Sequence, residues 1–216
     1  MPTDLKSIPL FEGVPDAELR ALAERSVTRS YPKQAIIVNE GDESDSLYLI
    51  LGGRVKIYLA DEHGKELILA IKGPGQYFGE MVLDEQPRSA SVMTLEASQF
   101  AILSRADFRA FLLGHPAVSL QLIQNLIRVA RGLNRSVRNL ALLDVYGRVA
   151  RILLELAVER DGKLVIPEKL TQKDIAARVG ASREMINRIL RDLTTGGYVS
   201  MTDGRITINK APPARW

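Results

Sequence analysis

The stretch TQKDIAARVGASREMINRILRDL, Thr171–Leu193, has few ways to fold other than two short helices joined by a tight turn. Thr171 is placed to cap the first helix, with Asp174 three positions on as its capping-box partner near the positive helix end. Ile175, Ala176 and Val179 form an apolar stripe. Gly180 follows where the helix must stop, because glycine enters the left-handed region without a Cβ clash. Ser182 is placed to cap the second helix. On it Met185, Ile186, Ile189, Leu190 and Leu193 recur at helical spacing and are expected to point inward. Arg183, Glu184, Asn187, Arg188 and Arg191 fall on the opposite face. A small residue at Ala176, with apolar Ile186 and Ile189, suits two helices packed at a steep angle, which is the helix-turn-helix arrangement.

An ordinary helical hairpin with a solvated charged face shares this pattern, and two features separate the two readings. The exposed face of the second helix begins with Arg and Glu, the types that pair with guanine and cytosine edges in the major groove. Next, in YVSMTDGRITIN at Tyr198–Asn209, Asp203-Gly204 stands between two β-rich runs, the signature of a two-residue hairpin turn. A helix-turn-helix followed by such a hairpin is a winged helix.

Charge points the same way. The net +3 conceals −5 over residues 1–115 and +8 over residues 116–216, a distribution that suits nucleic-acid binding by the C-terminal part alone. Without cysteine there is no disulfide, thiolate zinc site or cysteine-ligated cluster. Only His63 and His115 offer imidazole, so no metal site is expected, and nothing resembles a nucleophile–base pair of an enzyme. No secretory signal is evident, and no apolar run approaches the ~18 residues that span a membrane. A cytoplasmic protein without a membrane partner is expected. Its 216 residues leave room for two domains of ordinary size.

Taken from the start, Leu5–Phe11 and Asp16–Glu24 read as short helical pieces around Gly13. From Ser30 to about Ser104 short β-rich runs alternate with glycine turns: Ala35–Val38, Ser46–Leu51, Val55–Leu59, Glu66–Ile71, Ala90–Thr94 and Gln99–Leu103. Six or more short strands at this spacing indicate an antiparallel sandwich or barrel. Ala106–Leu113 reads as a helix, and Pro116 opens a long one to about Leu143. Along it Leu126, Ala130, Leu133, Val137 and Leu140 alternate at spacings of four and three, a heptad seam suited to a parallel dimer. Asp144 looks like the N-cap of a further helix, Val145–Val158, which places a hinge near Leu140–Asp144.

The parts therefore run barrel, heptad helix, hinge, winged helix. In that order, and most densely at Gly73–Ser91 (GPGQYFGEMVLDEQPRSAS), Asn139–Ala150 (NLALLDVYGRVA) and Leu170–Leu190, nearly the whole chain resembles the CRP/FNR family of bacterial transcription regulators. The resemblance implies an α+β chain with three parts. An N-terminal antiparallel β-barrel of the cyclic-nucleotide-binding, jelly-roll-like kind spans residues 1–115. A long dimerisation helix with its hinge follows at 116–143, and a winged helix-turn-helix at 144–216.

Within the barrel, Phe78-Gly79-Glu80 followed by Pro87-Arg88-Ser89-Ala90 resembles the family's phosphate-binding cassette. The chemistry suits that role. Gly79 permits close backbone approach, Arg88 supplies charge-assisted bonds, Ser89 adds a hydroxyl, and Glu80 can accept from a ribose 2′-OH. Met81 belongs to the same turn. A bland alternative is that Arg88 and Glu80 merely pair across a loop. Two departures bear on the effector. The segment between Glu80 and Arg88 is short for the family, and Leu133 and Asn134 occupy the long-helix positions that face the base. Asn134 can bond a base edge and Leu133 cannot. The effector stays open between cyclic AMP, a cyclic dinucleotide and none; no covalently bound cofactor is expected.

SREMINR places Arg183, Glu184 and Arg188 where the family presents base-reading residues, with Ser182, Asn187, Thr171 and Gln172 as further DNA contacts. The resemblance implies a homodimer on palindromic double-stranded DNA with half-sites close to TGTGA, and RNA polymerase as a further partner. A cyclic-nucleotide module that controls a partner protein is the competing reading, but it has no need of Thr171–Asn209.

Overall fold

The structure, a computed structural model, describes residues 5–202 and 204–212. Asp203, half of the expected hairpin turn, lies outside the described residues. The chain divides into two compact units. One takes in the residues up to His63 together with Ile68–Val129; the other takes in Gly64–Leu67 and the residues from Ala130 onward.

The first unit opens with a 3-10 turn at Pro9–Phe11 and helix α1 (Asp16–Glu24). Eight strands follow: β1 (Val27–Tyr31), β2 (Ile36–Val38), β3 (Ser46–Gly52), β4 (Val55–Ala60), β5 (Glu66–Lys72, in this unit from Ile68), β6 (Tyr77–Phe78), β7 (Ser91–Thr94) and β8 (Ser98–Ser104). They form two four-stranded sheets, ordered β1-β8-β3-β6 and β2-β7-β4-β5. Strand alternation explains why β3 and β8 read as continuous apolar runs. Ile50 and Phe100 face the space between the sheets with Val38, Val55, Phe78 and Val92. Leu47, Leu49, Ala101 and Leu103 face the other way, under a helical cover of Leu19, Leu22, Phe108, Phe111, Val118 and Leu122. Helix α2 (Arg105–Gly114) and the first half of α3 (Pro116–Leu142) supply much of that cover.

Only Val118 and Leu122 of α3 are buried. Farther along, Leu126, Leu133, Val137 and Leu140 are 38, 47, 64 and 46 % exposed, and Ala130 between them is exposed too. Among the described residues no single helix is long and apolar enough to cross a membrane.

The second unit packs α4 (Val145–Leu156), α5 (Gln172–Val179) and α6 (Arg183–Thr195) with a four-stranded sheet ordered β11-β12-β10-β9. Its strands are β9 (Val158–Arg160), β10 (Lys163–Val165), β11 (Val199–Thr202) and β12 (Arg205–Ile208). The expected Val145–Val158 helix stops at Leu156. Ala157 is extended, and Val158 pairs with Val165 as the first residue of β9. Ladder partners outweigh the helical spacing there. Asp144 caps α4 as expected, its carboxylate accepting the Gly147 N–H at 2.7 Å. From the same first turn Arg148 reaches two backbone carbonyls. Its Nε donates to Val179 O at the end of α5 (2.9 Å), and Nη1 to Leu143 O just beyond α3 (3.1 Å). A cation on the exposed carbonyls of a helix end is favourable for both.

Candidate ligand cradle and DNA-reading helix

Gly79 follows β6 in the left-handed region, with φ 85°, and leads into a 3-10 turn at Glu80–Asp84. No side chain fits there. A Cβ would lie 2.6 Å from Arg88 Nη1 and 2.9 Å from Ser46 O. The chain returns at Arg88, whose N–H donates to Asp42 O while its carbonyl accepts from the Gly41 N–H, both at 2.8 Å. These two bonds fix the backbone of Arg88 beneath Gly79.

The side chain of Arg88 is nearly enclosed, the residue being 7 % exposed. Nη2 donates to Ser46 O at 2.8 Å, and the guanidinium carbon sits 5.7 Å from the centre of the Tyr48 ring. The exposed Asp45 carboxylate stands 3.8 Å from Nη2, beyond hydrogen-bonding distance. Arg88 Nε is buried with no hydrogen-bond partner among the described residues. A guanidinium carries five donors. Held this way it keeps unspent capacity for an anion, which is what a phosphate requires. Ser89 and Met81 stand at the exposed rim, the Ser89 hydroxyl donating to Met81 Sδ at 3.1 Å. The structure thus brings Gly79, Met81, Arg88 and Ser89 together.

Glu80 leaves that group in one respect. It does not pair with Arg88; its carboxylate lies 3.9 Å from Lys72 Nζ, and both side chains are largely buried. Lys72 also donates to Tyr77 O at 2.6 Å. Glu80 faces a cavity of about 480 Å³ whose walls include Lys72, Tyr77 and, from α3, Asn125, Arg128 and Val129. Asn125 Nδ2 donates to the Tyr77 hydroxyl at 2.8 Å. Burial raises the Tyr77 phenol pKa, and the Asn125 bond opposes the shift. Asn134 is exposed on α3 and does not line this cavity. Sequence reasoning missed Lys72, Tyr77, Asn125 and Arg128. The available signal was Lys72 itself, a charge closing the apolar strand ELILAIK.

In the second unit the capping chemistry positions α6. Thr171 N–H donates to the Asp174 carboxylate at 2.8 Å, and Asp174 N–H returns to Thr171 Oγ1 at 3.1 Å. Gly180 ends α5 with φ 68°. Ser182 Oγ accepts the Met185 N–H at 3.2 Å and starts α6. Ile186, Ile189, Leu190 and Leu193 bury their side chains in the core with Ile175, Ala176 and Val179. Arg183, Glu184, Asn187 and Arg188 are exposed, as are Ser182 and Thr171, while Gln172 is half-buried. Bonds from its own backbone N–H and from Ser182 hold the Glu184 carboxyl below its ordinary pKa, so it stays an acceptor. Met185 corrects the expected inward face: it is 36 % exposed and stands outside the core cluster. Beside α6, β11 and β12 form the antiparallel hairpin, with Thr202 opposite Arg205 and Gly204 at φ 76°. Among the described residues no cluster of His, Asp or Glu is arranged to hold a metal ion.

Comparison with known proteins matches both units. Residues 28–115 match the cyclic nucleotide-binding domain family, and residues 147–212 the Crp-like helix-turn-helix domain family. The chain is 34 % identical over 205 residues to the CRP-like cAMP-activated global transcriptional regulator of Mycobacterium tuberculosis, covering 93 % of this chain and 92 % of that one. It is 33 % identical to the cyclic AMP receptor protein of Thermus thermophilus, covering 96 % and 95 %. Among solved structures it is similar to the c-di-GMP responsive global regulator CLP of Xanthomonas campestris, with a TM-score of 0.78 and 26 % identity, over 90 % of this chain and all of that one.

Proposed function

The chain belongs to the CRP/FNR family of transcription regulators, with a cyclic nucleotide-binding domain and a helix-turn-helix DNA-binding domain, and from that premise we propose how its own residues divide the work. Residues 1–115 sense a cyclic nucleotide, 116–143 carry the dimer seam and hinge, and 144–216 read DNA. The observation that carries the sensing role is Arg88, buried beneath Gly79 with an orphaned Nε. A buried N–H donor without an acceptor is expensive, and a ligand phosphate at this point relieves it. Gly79, Met81 and Ser89 border the same position, and Glu80 turns toward the ribose or base side.

Cyclic AMP is the first effector to test, since it is named for the relatives from M. tuberculosis and T. thermophilus. A cyclic dinucleotide is the second reading, favoured by a particular observation. Lys72 and Arg128 add two cations to the cavity beside Glu80, and the X. campestris neighbour is c-di-GMP responsive. Asn125 and Arg128 place α3 on the wall of that cavity. A ligand there acts on the helix that continues to the hinge. It shifts the protein only if it binds two arrangements unequally. Typical coupling is about 1–3 kcal/mol, a 5- to 150-fold change in DNA affinity.

The exposed seam of Leu126, Ala130, Leu133, Val137 and Leu140 makes the dimer. Two-fold symmetry then sets the α6 helices about 34 Å apart, one DNA turn, on half-sites close to TGTGA. Arg183, Glu184 and Arg188 read bases, while Ser182, Asn187, Thr171 and Gln172 add further contacts. Regulation of transcription from such a site brings in RNA polymerase. The experiment is calorimetry with cyclic AMP, cyclic GMP and cyclic di-GMP on wild type and Arg88→Leu, paired with DNA affinity at fixed salt with and without each. One of them should bind the wild type, change its DNA affinity, and lose both effects in Arg88→Leu. If none alters wild-type affinity, the barrel is not a nucleotide sensor.

A further inference from the structure

We propose that Met185 is a specificity residue that reads the C5-methyl group of a thymine from the flank of α6. The inference rests on α6 being the DNA-reading helix. It adds a residue whose sequence pattern assigned it to the core.

Four residues, Ile186, Ile189, Leu190 and Leu193, make the buried stripe of α6, at 0, 5, 3 and 0 % exposure, and Met185 at 36 % stands apart from them. Helix geometry gives the reason. At 3.6 residues per turn Met185 projects roughly 100° from Ile186 and from Glu184, so it belongs to neither the core face nor the centre of the polar face. Its helical neighbours are Arg188 and Ile189, three and four residues on, the first exposed and the second buried, so Met185 stands at the margin between the two faces. The Ser182 cap on its own N–H places it in the first turn. Side chains lean toward the helix N-terminus, so the thioether reaches toward the end of α6 that contacts base edges.

The dimensions of the groove turn this flank into a contact. A helix with its side chains is about 10–12 Å across and the major groove about 12 Å wide, so a helix seated on its polar face presses its flanks on the groove walls. There Met185 meets backbone phosphates and sugars, or base edges. A thioether has no hydrogen to donate to a phosphate. What it does match is an apolar, shape-tolerant partner; a sugar offers one but carries no sequence information, and on a major-groove base edge the apolar group is the thymine methyl. Arg183, Glu184 and Arg188 read polar patterns; Met185 supplies the one apolar element of the exposed first turn. The thymine it reads adjoins the base pairs contacted by Glu184 and Arg188.

The test uses the full-length protein and a duplex selected by the wild type from a random-sequence library. Each thymine is replaced singly by deoxyuridine, which removes only the methyl group, and affinity is measured by fluorescence anisotropy at fixed salt. One thymine per half-site should be sensitive, its replacement weakening wild-type binding about fourfold, the transfer of one methyl-sized group. Met185→Leu should keep that sensitivity, and Met185→Ala should bind the thymine and uracil duplexes alike. Binding of Met185→Ala to unrelated DNA with the wild type's affinity checks that the fold is retained. The proposal is overturned if the wild type is indifferent to every replacement, or if Met185→Ala remains as sensitive as the wild type. Failure to select any duplex would remove the DNA-reading role of α6 itself, an outcome distinct from both.

Discussion

Gly79→Ala tests two separable demands at the ligand cradle, a left-handed backbone and the absence of a Cβ. Gly41 is the matched control, because both glycines have φ 85° and both lie in the first unit. A Cβ at Gly41 meets nothing within 4 Å, whereas one at Gly79 lies 2.6 Å from Arg88 Nη1 and 2.9 Å from Ser46 O. The backbone penalty alone is about 1–2 kcal/mol, common to both variants. Arg88 can swing its guanidinium away, but Ser46 O is strand backbone and cannot, so overpacking adds about 1–3 kcal/mol at Gly79. The expected losses are about 1–2 kcal/mol for Gly41→Ala and about 2–5 kcal/mol for Gly79→Ala. The second is a large share of the usual 5–15 kcal/mol of a domain. With two units in the chain a single global transition is unsafe to assume. Amide hydrogen exchange of peptides from β3 and β8, read by mass spectrometry, gives the barrel's own opening free energy. Equal losses in the two variants would refute the steric argument and leave Gly79 as a turn residue only.

Three further outcomes follow from other parts of the molecule. His115 holds Phe111 O at 2.7 Å through Nδ1 and the Glu18 carboxylate through Nε2; burial alone would lower its pKa, but the two acceptors outweigh that and raise it. This stabilisation is complete below the unfolded value near ~6.5 and is lost as pH rises through the higher folded value. Urea titrations from pH 6 to 8.5 should therefore show a steeper loss in wild type than in His115→Gln, and parallel curves would exclude the clamp. Leu133→Asp puts a charge in the exposed seam and should give monomers at micromolar concentration in sedimentation velocity; a wild type that is itself monomeric there would count against the seam. Arg183→Ala should lose about 1–3 kcal/mol on the selected site and relax preference at one guanine. Unchanged selectivity across a site library would remove Arg183 from the reading set.

Features that depend on a few adjacent residues were legible in the sequence. The Thr171 capping box, the Gly180 stop, and the Ser182 and Asp144 caps are each closed by atoms within a few residues, and each forms as expected. What escaped depends on distant partners. β1, VTRSY, is almost wholly exposed and exists because it pairs with β8 at the sheet edge. β9 and β10 are three residues each; β9 pairs with β10, and β10 takes its other ladder from β12. The acceptor that positions Arg88, a loop residue, is the carbonyl of Ser46 at the start of β3. The Lys72–Glu80 pair likewise arises from two separate elements, so the cavity they line has no contiguous motif. Met185 failed for a different reason. A helical period assigns a face only to within about half a residue's rotation, and Met185 sits at the margin between stripe and surface.

The two bonds of Arg148 have a mechanical consequence. One planar, rigid guanidinium is tied at once to Leu143 O and Val179 O, and the Asp144 cap sits between them in the chain. A swivel confined to Leu143–Asp144 would break the Leu143 bond and the Asp144 cap, whereas bending farther back along α3 need break neither; the Val179 bond joins two groups beyond that joint and holds α4 to α5 throughout. The joint is therefore splinted on its C-terminal side. The end of the long helix and the first helix of the reading motif travel as one lever, and compliance is pushed back toward the stretch before Leu143. Within the second unit the end of α3 is thereby tied through α4 to α5, with no slack segment between them.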